Sequence, residues 1–259
     1  MAQLIFITGA SSGLGQALAW RYYQSGANLA LVSRRAEDIE RWAEQKRMDP
    51  ARWRCYGADV SQTESIVEAA KTCLGTQGVP DVVIACAGLS TGMDTAYRED
   101  LDAMASIFAT NNLGTAATFH PFVAPMRARG SGTLVGVASV HGIRGMPGHG
   151  AYCASKAGII SYCEALRGEM RASGVKVVTI CPGYIRTPLT AKNTYSMPFI
   201  LEAPEFAQRA QACIEAGKSY TVIPWQMGVL AKILRLMPNW VFDRAFAARP
   251  RKPRSTEAA

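Results

Sequence analysis

The chain has 259 residues, 49% hydrophobic and 19% charged, with a formal net charge of +8. That length and balance fit a globular α/β chain with a large core and exclude a disordered one. Seven scattered cysteines without a Cys-x-x-Cys argue for free thiols in a reducing, cytoplasmic setting, and three histidines at no metal-ligand spacing give no metal site. No uncharged apolar run reaches ~18 residues, so no spanning helix is expected, and "MAQLIFIT" reads as a first strand rather than a leader.

In chain order, short runs rich in Val, Ile and Leu alternate with helical patterns. Strands are expected at 4–8, 28–33, 52–60, 81–86, 132–139, 175–180 and 219–223. Helices are expected at about 13–25, 36–47, 62–75, 100–128, 151–172 and 203–216. Continuous apolar runs of this length suit parallel strands covered on both faces. The expected class is α/β: a doubly wound, Rossmann-type fold with a seven-stranded parallel sheet and helices on both faces. One domain spans 1–223, with a lid at about 188–216, and a basic amphipathic extension follows at 224–259.

The first strand ends in "TGASSGLG" and opens a helix. Gly9, Ser11, Ser12, Gly13, Leu14 and Gly15 form a turn through which a pyrophosphate can approach backbone N–H groups at a helix N-terminus. The second strand ends in Ser33, Arg34 and Arg35. An NAD site usually has an acid there for the ribose hydroxyls, whereas arginine suits a 2′-phosphate, which points to NADP(H). A solvated basic pair is the plainer reading. After the third strand, Asp59 and Val60 stand where a carboxylate meets an adenine amino group, or where an Asp caps the next helix. In "GAYCASKAG", Tyr152 and Lys156 share one helix face. A lysine there lowers the phenol pKa from ~10 toward neutrality and makes Tyr152 a proton donor; otherwise the two are a surface pair.

Together "TGASSGLG", "YCASK" and "PGYIRT" resemble the compact form of the short-chain dehydrogenase/reductase family, over roughly residues 3–223. The resemblance implies that Tyr152 is the catalytic acid/base and that Lys156 lowers its pKa while holding the nicotinamide ribose. It implies that Ser139, in "GVASVHG", holds the carbonyl oxygen, and that Asn111, in "TNNLG", holds a water linking Lys156 to solvent. Pro182, Gly183, Ile185 and Thr187 fall beside the nicotinamide carboxamide, and Ala87 and Gly88 of "ACAG" along the cofactor. Cys86 departs from the family, which has an asparagine there that ties the central sheet, so a looser sheet is expected at that point. His141 and His149 flank the expected pocket, as wall residues or, for His141, as a substrate contact.

The implied activity is NADP(H)-dependent interconversion of a carbonyl and an alcohol. The stretch after Thr187 carries Tyr195, Met197, Phe199 and Ile200, so a hydrophobic ketone or aldehyde, such as a lipid- or acyl-type carbonyl, is the expected substrate. The alternatives are a catalytically silent nucleotide-binding interaction protein and a membrane-surface protein of the same fold. The Ser139, Tyr152 and Lys156 set favours the enzyme. A homodimer or homotetramer is expected. Residues 218–254 carry +7, around an apolar segment "QMGVLAKILRLM" in which Gly228, Lys232 and Arg235 form a narrow stripe. That segment is expected to pack over the substrate site or a subunit, or to make peripheral contact with anionic membrane through residues 225–254. It lacks the aromatic-basic platform of a nucleic-acid binder.

Overall fold

The chain winds outward from one central strand, then returns and winds the other way. The structure is a computed structural model describing residues 2–254 apart from Lys192, Thr194, Ala248 and Arg249. Strand β1 (Leu4–Thr8) leads through α1 (Gly13–Gln24) to β2 (Asn28–Ser33), and α2 (Ala36–Gln45) leads on to β3 (Trp53–Gly57). Helix α3 (Thr63–Thr76) crosses back to β4 (Val82–Ala85), which pairs with the free side of β1. The second half runs through α4 (Glu99–Phe108), α5 (Gly114–Arg129), β5 (Gly132–Val137), α6 (Gly150–Met170) and β6 (Val175–Pro182). Short β7 (Ile185–Arg186), α7 (Pro188–Ala191) and β8 (Leu201–Glu202) precede α8 (Ala203–Glu215) and β9 (Tyr220–Ile223). Two helices, α9 (Trp225–Leu236) and α10 (Asn239–Phe246), follow.

The main sheet has seven parallel strands in the order β3-β2-β1-β4-β5-β6-β9. This is the doubly wound fold that the apolar runs predict. Alternation along β1 divides the core into two layers. Phe6 points to the side where Ala70, Phe119, Phe122 and Leu166 pack, under α3, α5 and α6. Ile5 and Ile7 point to the other, with Leu18, Ile39 and Phe206 under α1, α2 and α8. Each such fully buried side chain contributes ~1.5–3 kcal/mol, and a one-residue slip of β1 would exchange the two layers.

Three expectations change. The helix expected at 100–128 is divided by a π-helical turn at Ala109–Leu113, which turns Asn111 into the interior. Within the stretch expected as a lid, 188–216, Phe206, Ala207, Ala210 and Ile214 of α8 are core residues packed with Leu18 and Tyr22. Ahead of α8 in that stretch, Lys192 and Thr194 lie outside the described residues. The segment after 224 is not a separate extension along α9. Met227 and Ala231 join a small apolar cluster with Val140 and Tyr184, and Gly228 is buried with them rather than lying on an outer polar stripe. Ala248, Arg249 and residues 255–259 of that segment lie outside the described residues. No helix among the described residues is long and apolar enough to cross a membrane.

Candidate active site

Strands β1 and β4 are neighbours, yet the chain leaves them toward opposite edges of the sheet, so a crevice opens at their C-terminal ends. The glycine turn after β1 fills its floor. A Cβ on Gly15 would lie 2.3 Å from the Gly9 carbonyl oxygen, and Gly9 itself has φ +71° with only 2.8 Å between such a Cβ and the Ala87 Cα. Backbone therefore meets backbone there, as close approach to a pyrophosphate demands. At the N-cap of α1, Ser12 makes no side-chain capping hydrogen bond, and the first turn holds no acid. The helix thus presents N–H groups and the positive end of its dipole to the cleft.

At the end of β2 the Ser33 hydroxyl donates to Ser11 Oγ at 2.9 Å and accepts from the Arg35 N–H at 3.2 Å. Arg35 pairs with Asp38 at 2.5 Å. Arg34 is exposed, and no carboxylate pairs with it among the described residues. Asp59 Oδ1 accepts from the Ser61 N–H at 2.9 Å and from its hydroxyl at 2.7 Å, closing a turn ahead of α3; the N-cap of that helix is Gln62, so Asp59 does not cap it as expected. Burial opposes the Asp59 charge, but those bonds and nearby Arg34 hold its carboxyl below the ordinary value. The sheet tie that Cys86 cannot make is supplied by Thr8. Its Oγ1 accepts from the Cys86 and Ala87 N–H groups at 3.2 and 3.3 Å. Burial pushes the Cys86 thiol up to about 11, against the opposing charge of Lys156, so it is a protonated wall residue.

The resulting cleft has a volume of about 460 Å³ and is lined by every residue predicted for the cofactor and by Ser139, Tyr152 and Lys156, but not by Asn111, His141 or His149. Sequence reasoning missed Val32, Ala58, Leu89, Thr110, Leu189 and Thr190, which also line it. Val32, Ala58, Leu89 and Thr110 adjoin motif residues, whereas Leu189 and Thr190 lie beyond the end of "PGYIRT", and only the two threonines are polar.

The side chains expected to carry the chemistry line the same cleft. Ser139 follows β5, nearly buried, and accepts the His141 N–H at 3.2 Å. The Lys156 ammonium, on α6, donates to the Val137 carbonyl at 2.8 Å and lies 5.8 Å from the Tyr152 ring centre. Asn111 lies beneath them. Its Nδ2 donates to Ser155 Oγ (2.8 Å) and the Leu89 carbonyl (3.1 Å), while Oδ1 accepts the Leu89 N–H (2.8 Å). Ser155 in turn donates to the Tyr152 carbonyl at 2.8 Å. Asn111 therefore fixes the helical turn that carries Tyr152. The backbone carbonyl of Asn111 accepts the Thr115 hydroxyl.

The expected lowering of the Tyr152 pKa is not produced by the protein alone. Burial pushes the phenol up to about 12, with a hydrogen bond to Ser139 pulling the other way. Burial also holds Lys156 down, at about 8. Desolvation wins over attraction here because the lysine turns to Val137 rather than to the phenol. Rings cluster around Tyr152: His141 stands 5.8 Å from it, 5.9 Å from Tyr184 and 5.6 Å from His149, and Tyr195 stands 5.8 Å from His149. Among the described residues, no group of His, Cys, Asp or Glu is arranged to hold a metal ion.

Fold and cleft together define a Rossmann-type nucleotide-binding protein with a serine, a tyrosine and a lysine at the mouth of its phosphate turn. Residues 3–197 match the short chain dehydrogenase family. An uncharacterized oxidoreductase of Myxococcus xanthus is 34% identical over 239 residues, covering 92% of this chain and 94% of that one. A short chain dehydrogenase/reductase from Burkholderia phymatum in complex with NAD superposes with a TM-score of 0.80 at 22% identity, over 98% of each chain. ElxO with NADP bound gives 0.77 at 20% identity, over 86% of this chain and 97% of that one. The chain belongs to the short-chain dehydrogenase family and is an oxidoreductase of that family.

Proposed function

We propose that the protein is an NADP(H)-dependent reductase of an apolar ketone or aldehyde. The observation that carries the reading is the convergence of Ser139, Tyr152 and Lys156 on one end of a cleft whose other end presents Arg34 and no acid. The residues fit the dinucleotide: the Gly9–Gly15 contact and the uncapped start of α1 suit its pyrophosphate. Arg34 suits a 2′-phosphate, while Ile185 and Thr187, which line the same cleft, would hold the carboxamide. Both NAD and NADP occur among similar structures, so the choice rests on Arg34.

A bound dinucleotide supplies the hydride. Tyr152 donates a proton to the carbonyl oxygen as negative charge develops there. The raised phenol pKa keeps that proton in place near neutral pH. Ser139 holds the same oxygen by hydrogen bond. Lys156 holds the ribose and, once the site is filled, lowers the cost of ionised Tyr152. Asn111 acts as a positioning residue through Ser155 and Leu89. The apolar preference is supported by Val140, Tyr184, Tyr195, Met197 and Ile200, which form one cluster over the substrate side. Turnover of a panel of aliphatic and aromatic carbonyls with NADPH, in the wild type and Tyr152→Phe, tests this reading. Equal turnover by the two proteins refutes it.

A second feature supports peripheral contact with anionic membrane. Trp225, Val229, Ile233, Leu236 and Trp240 are exposed, and Leu236 and Trp240 keep 84% and 74% of their surface in water. Exposed Lys232, Arg235 and Arg244 lie among them. Apolar side chains beside basic ones suit the boundary between acyl chains and anionic headgroups. A homo-oligomer formed through the same stripe is the competing use.

A further inference from the structure

Beyond Phe246 the chain comes back over the substrate side. The Gly92 N–H donates to the Pro253 carbonyl at 3.0 Å, and Gly92 forms a parallel bridge with Arg254. Any side chain at Gly92 would strike the strap, since a Cβ there would lie 2.0 Å from the Lys252 carbonyl oxygen. Arg254 is the main anchor. Its Nε lies 2.8 Å from Asp100 Oδ2 and its Nη2 3.0 Å from Glu99 Oε1, with Asp100 wholly buried, and the guanidinium stacks 3.6 Å from the Tyr97 ring centre. Arg251 faces Asp94 at 3.6 Å.

Lys252, between them, is different. Its Nζ donates to Ser90 Oγ at 3.0 Å and reaches the Leu189 carbonyl at 3.4 Å. Those two acceptors belong to different segments, one after β4 and one in α7. Leu189 lines the cleft that holds Tyr152, and Ser90 follows Leu89, which lines it too. No carboxylate among the described residues pairs with Lys252, whereas both neighbouring arginines have one. Burial lowers its pKa with no counter-charge opposing the loss. A half-buried ammonium on neutral oxygens is a costly arrangement if its purpose is anchorage, which Arg254, Arg251 and Gly92 already provide.

We propose that Lys252 is an anion-recognition residue at the cleft mouth, and that the substrate bears a carboxylate or phosphate at the end remote from its reacting carbonyl. The proposal rests on the carbonyl-reductase reading for the location of the reacting group. In it, the apolar wall takes the middle of the substrate and the strap takes its charged end. Lys252 is then a specificity residue that never touches the hydride or the proton in flight.

The test separates the two readings by using probes that cannot react. Octanoate, octyl phosphate and 1-octanol are titrated calorimetrically into the full-length protein saturated with NADPH, which leaves the alcohol no hydride acceptor. In the wild type, at least one anionic probe should bind roughly tenfold or more tightly than the alcohol, the effect of one charge-assisted contact. Octanoate over octyl phosphate assigns a carboxylate, and the reverse order a phosphate. Lys252→Gln should bring all three within about twofold, and Lys252→Arg should restore the preference. Tyr152→Phe should keep the preference while losing turnover, so a failure of the catalytic reading appears in turnover and not in these titrations. Equal affinity for charged and neutral probes in the wild type overturns the proposal. So does no binding of any probe at millimolar concentration, or a preference that survives Lys252→Gln.

Discussion

The Lys156 ammonium donates to the Val137 carbonyl at 2.8 Å, inside the protein and without a carboxylate beside it. Burial holds its pKa at about 8, against an ordinary value of 10.5. Anionic cofactor phosphates and an ionised Tyr152 both favour the charged form, so binding raises that pKa. By linkage, cofactor affinity is then level below pH 8 and falls as pH rises from about 8 toward the bound-state value. Lys156→Arg keeps its charge and should show a flat profile. The empty protein responds with the opposite sign. Its folded pKa lies below the unfolded one, so the unfolded chain binds more protons between about 8 and 10.5, and this residue's contribution to stability rises across that window. Dissociation constants for NADPH measured from pH 6 to 10 check the first statement. A level profile in the wild type refutes it.

In the proposed reaction Tyr152 and Ser139 divide the work on the carbonyl oxygen, so their variants should differ from that of Lys156. Tyr152→Phe removes only the proton donor and should lower kcat by ~10²–10⁴ while cofactor affinity stays within about threefold. Ser139→Ala removes one donor to the developing charge and should cost ~10²–10³ in kcat. Lys156→Ala should weaken cofactor binding and turnover together. Steady-state kinetics with fluorescence titration of NADPH separates these patterns. Strong loss of cofactor affinity in Tyr152→Phe would contradict the assignment of roles.

The two arginines after β2 are not equivalent, because Arg35 is paired with Asp38 and Arg34 is not. Arg34→Ala should therefore weaken NADPH by ~1.5–3 kcal/mol, roughly ten- to a hundredfold, and leave NADH nearly unchanged. Arg35→Ala should do much less. Equal wild-type affinities for the two dinucleotides would sink the NADP(H) preference.

The sheet and the cleft were legible because parallel strands leave continuous apolar runs and because the phosphate turn needs glycines at fixed positions. Gly9 and Gly15 announce it in the sequence for the same reason that they touch in the fold. The π-helical turn around Asn111 was not legible. One extra residue in a turn barely alters the apolar spacing of a long helix, yet it decides which asparagine faces inward. Nor was the return of the chain end, since Arg254 and Asp100 are 154 residues apart and an ion pair across that distance has no local pattern. The direction of the Tyr152 shift in the cofactor-free protein was not legible for a related reason. Spacing places a lysine near a phenol, but only the packed structure shows that its ammonium turns to Val137.

The outer face of α9 and α10 gives the last prediction. Met227 and Ala231 are seated in the fold, so cutting the chain at Val222 would damage the substrate wall as well as remove the stripe. Point substitutions avoid that. Ile233→Ser, Leu236→Ser and Trp240→Ser together change three exposed side chains and leave the buried face untouched. Each of these side chains contributes up to ~1.5–3 kcal/mol when inserted into an acyl layer, and each basic neighbour ~1 kcal/mol on an anionic surface. The full chain should therefore sediment with vesicles of phosphatidylserine and phosphatidylcholine at low salt, less at high salt as screening shortens, and little with phosphatidylcholine alone. The triple variant should stay in the supernatant, and Lys232→Glu with Arg235→Glu should lose the anionic preference. Gel filtration of the same proteins decides the competing use. If the wild type ignores anionic vesicles, and the triple variant changes from a dimer to a monomer, the stripe is a subunit interface and the membrane reading is wrong.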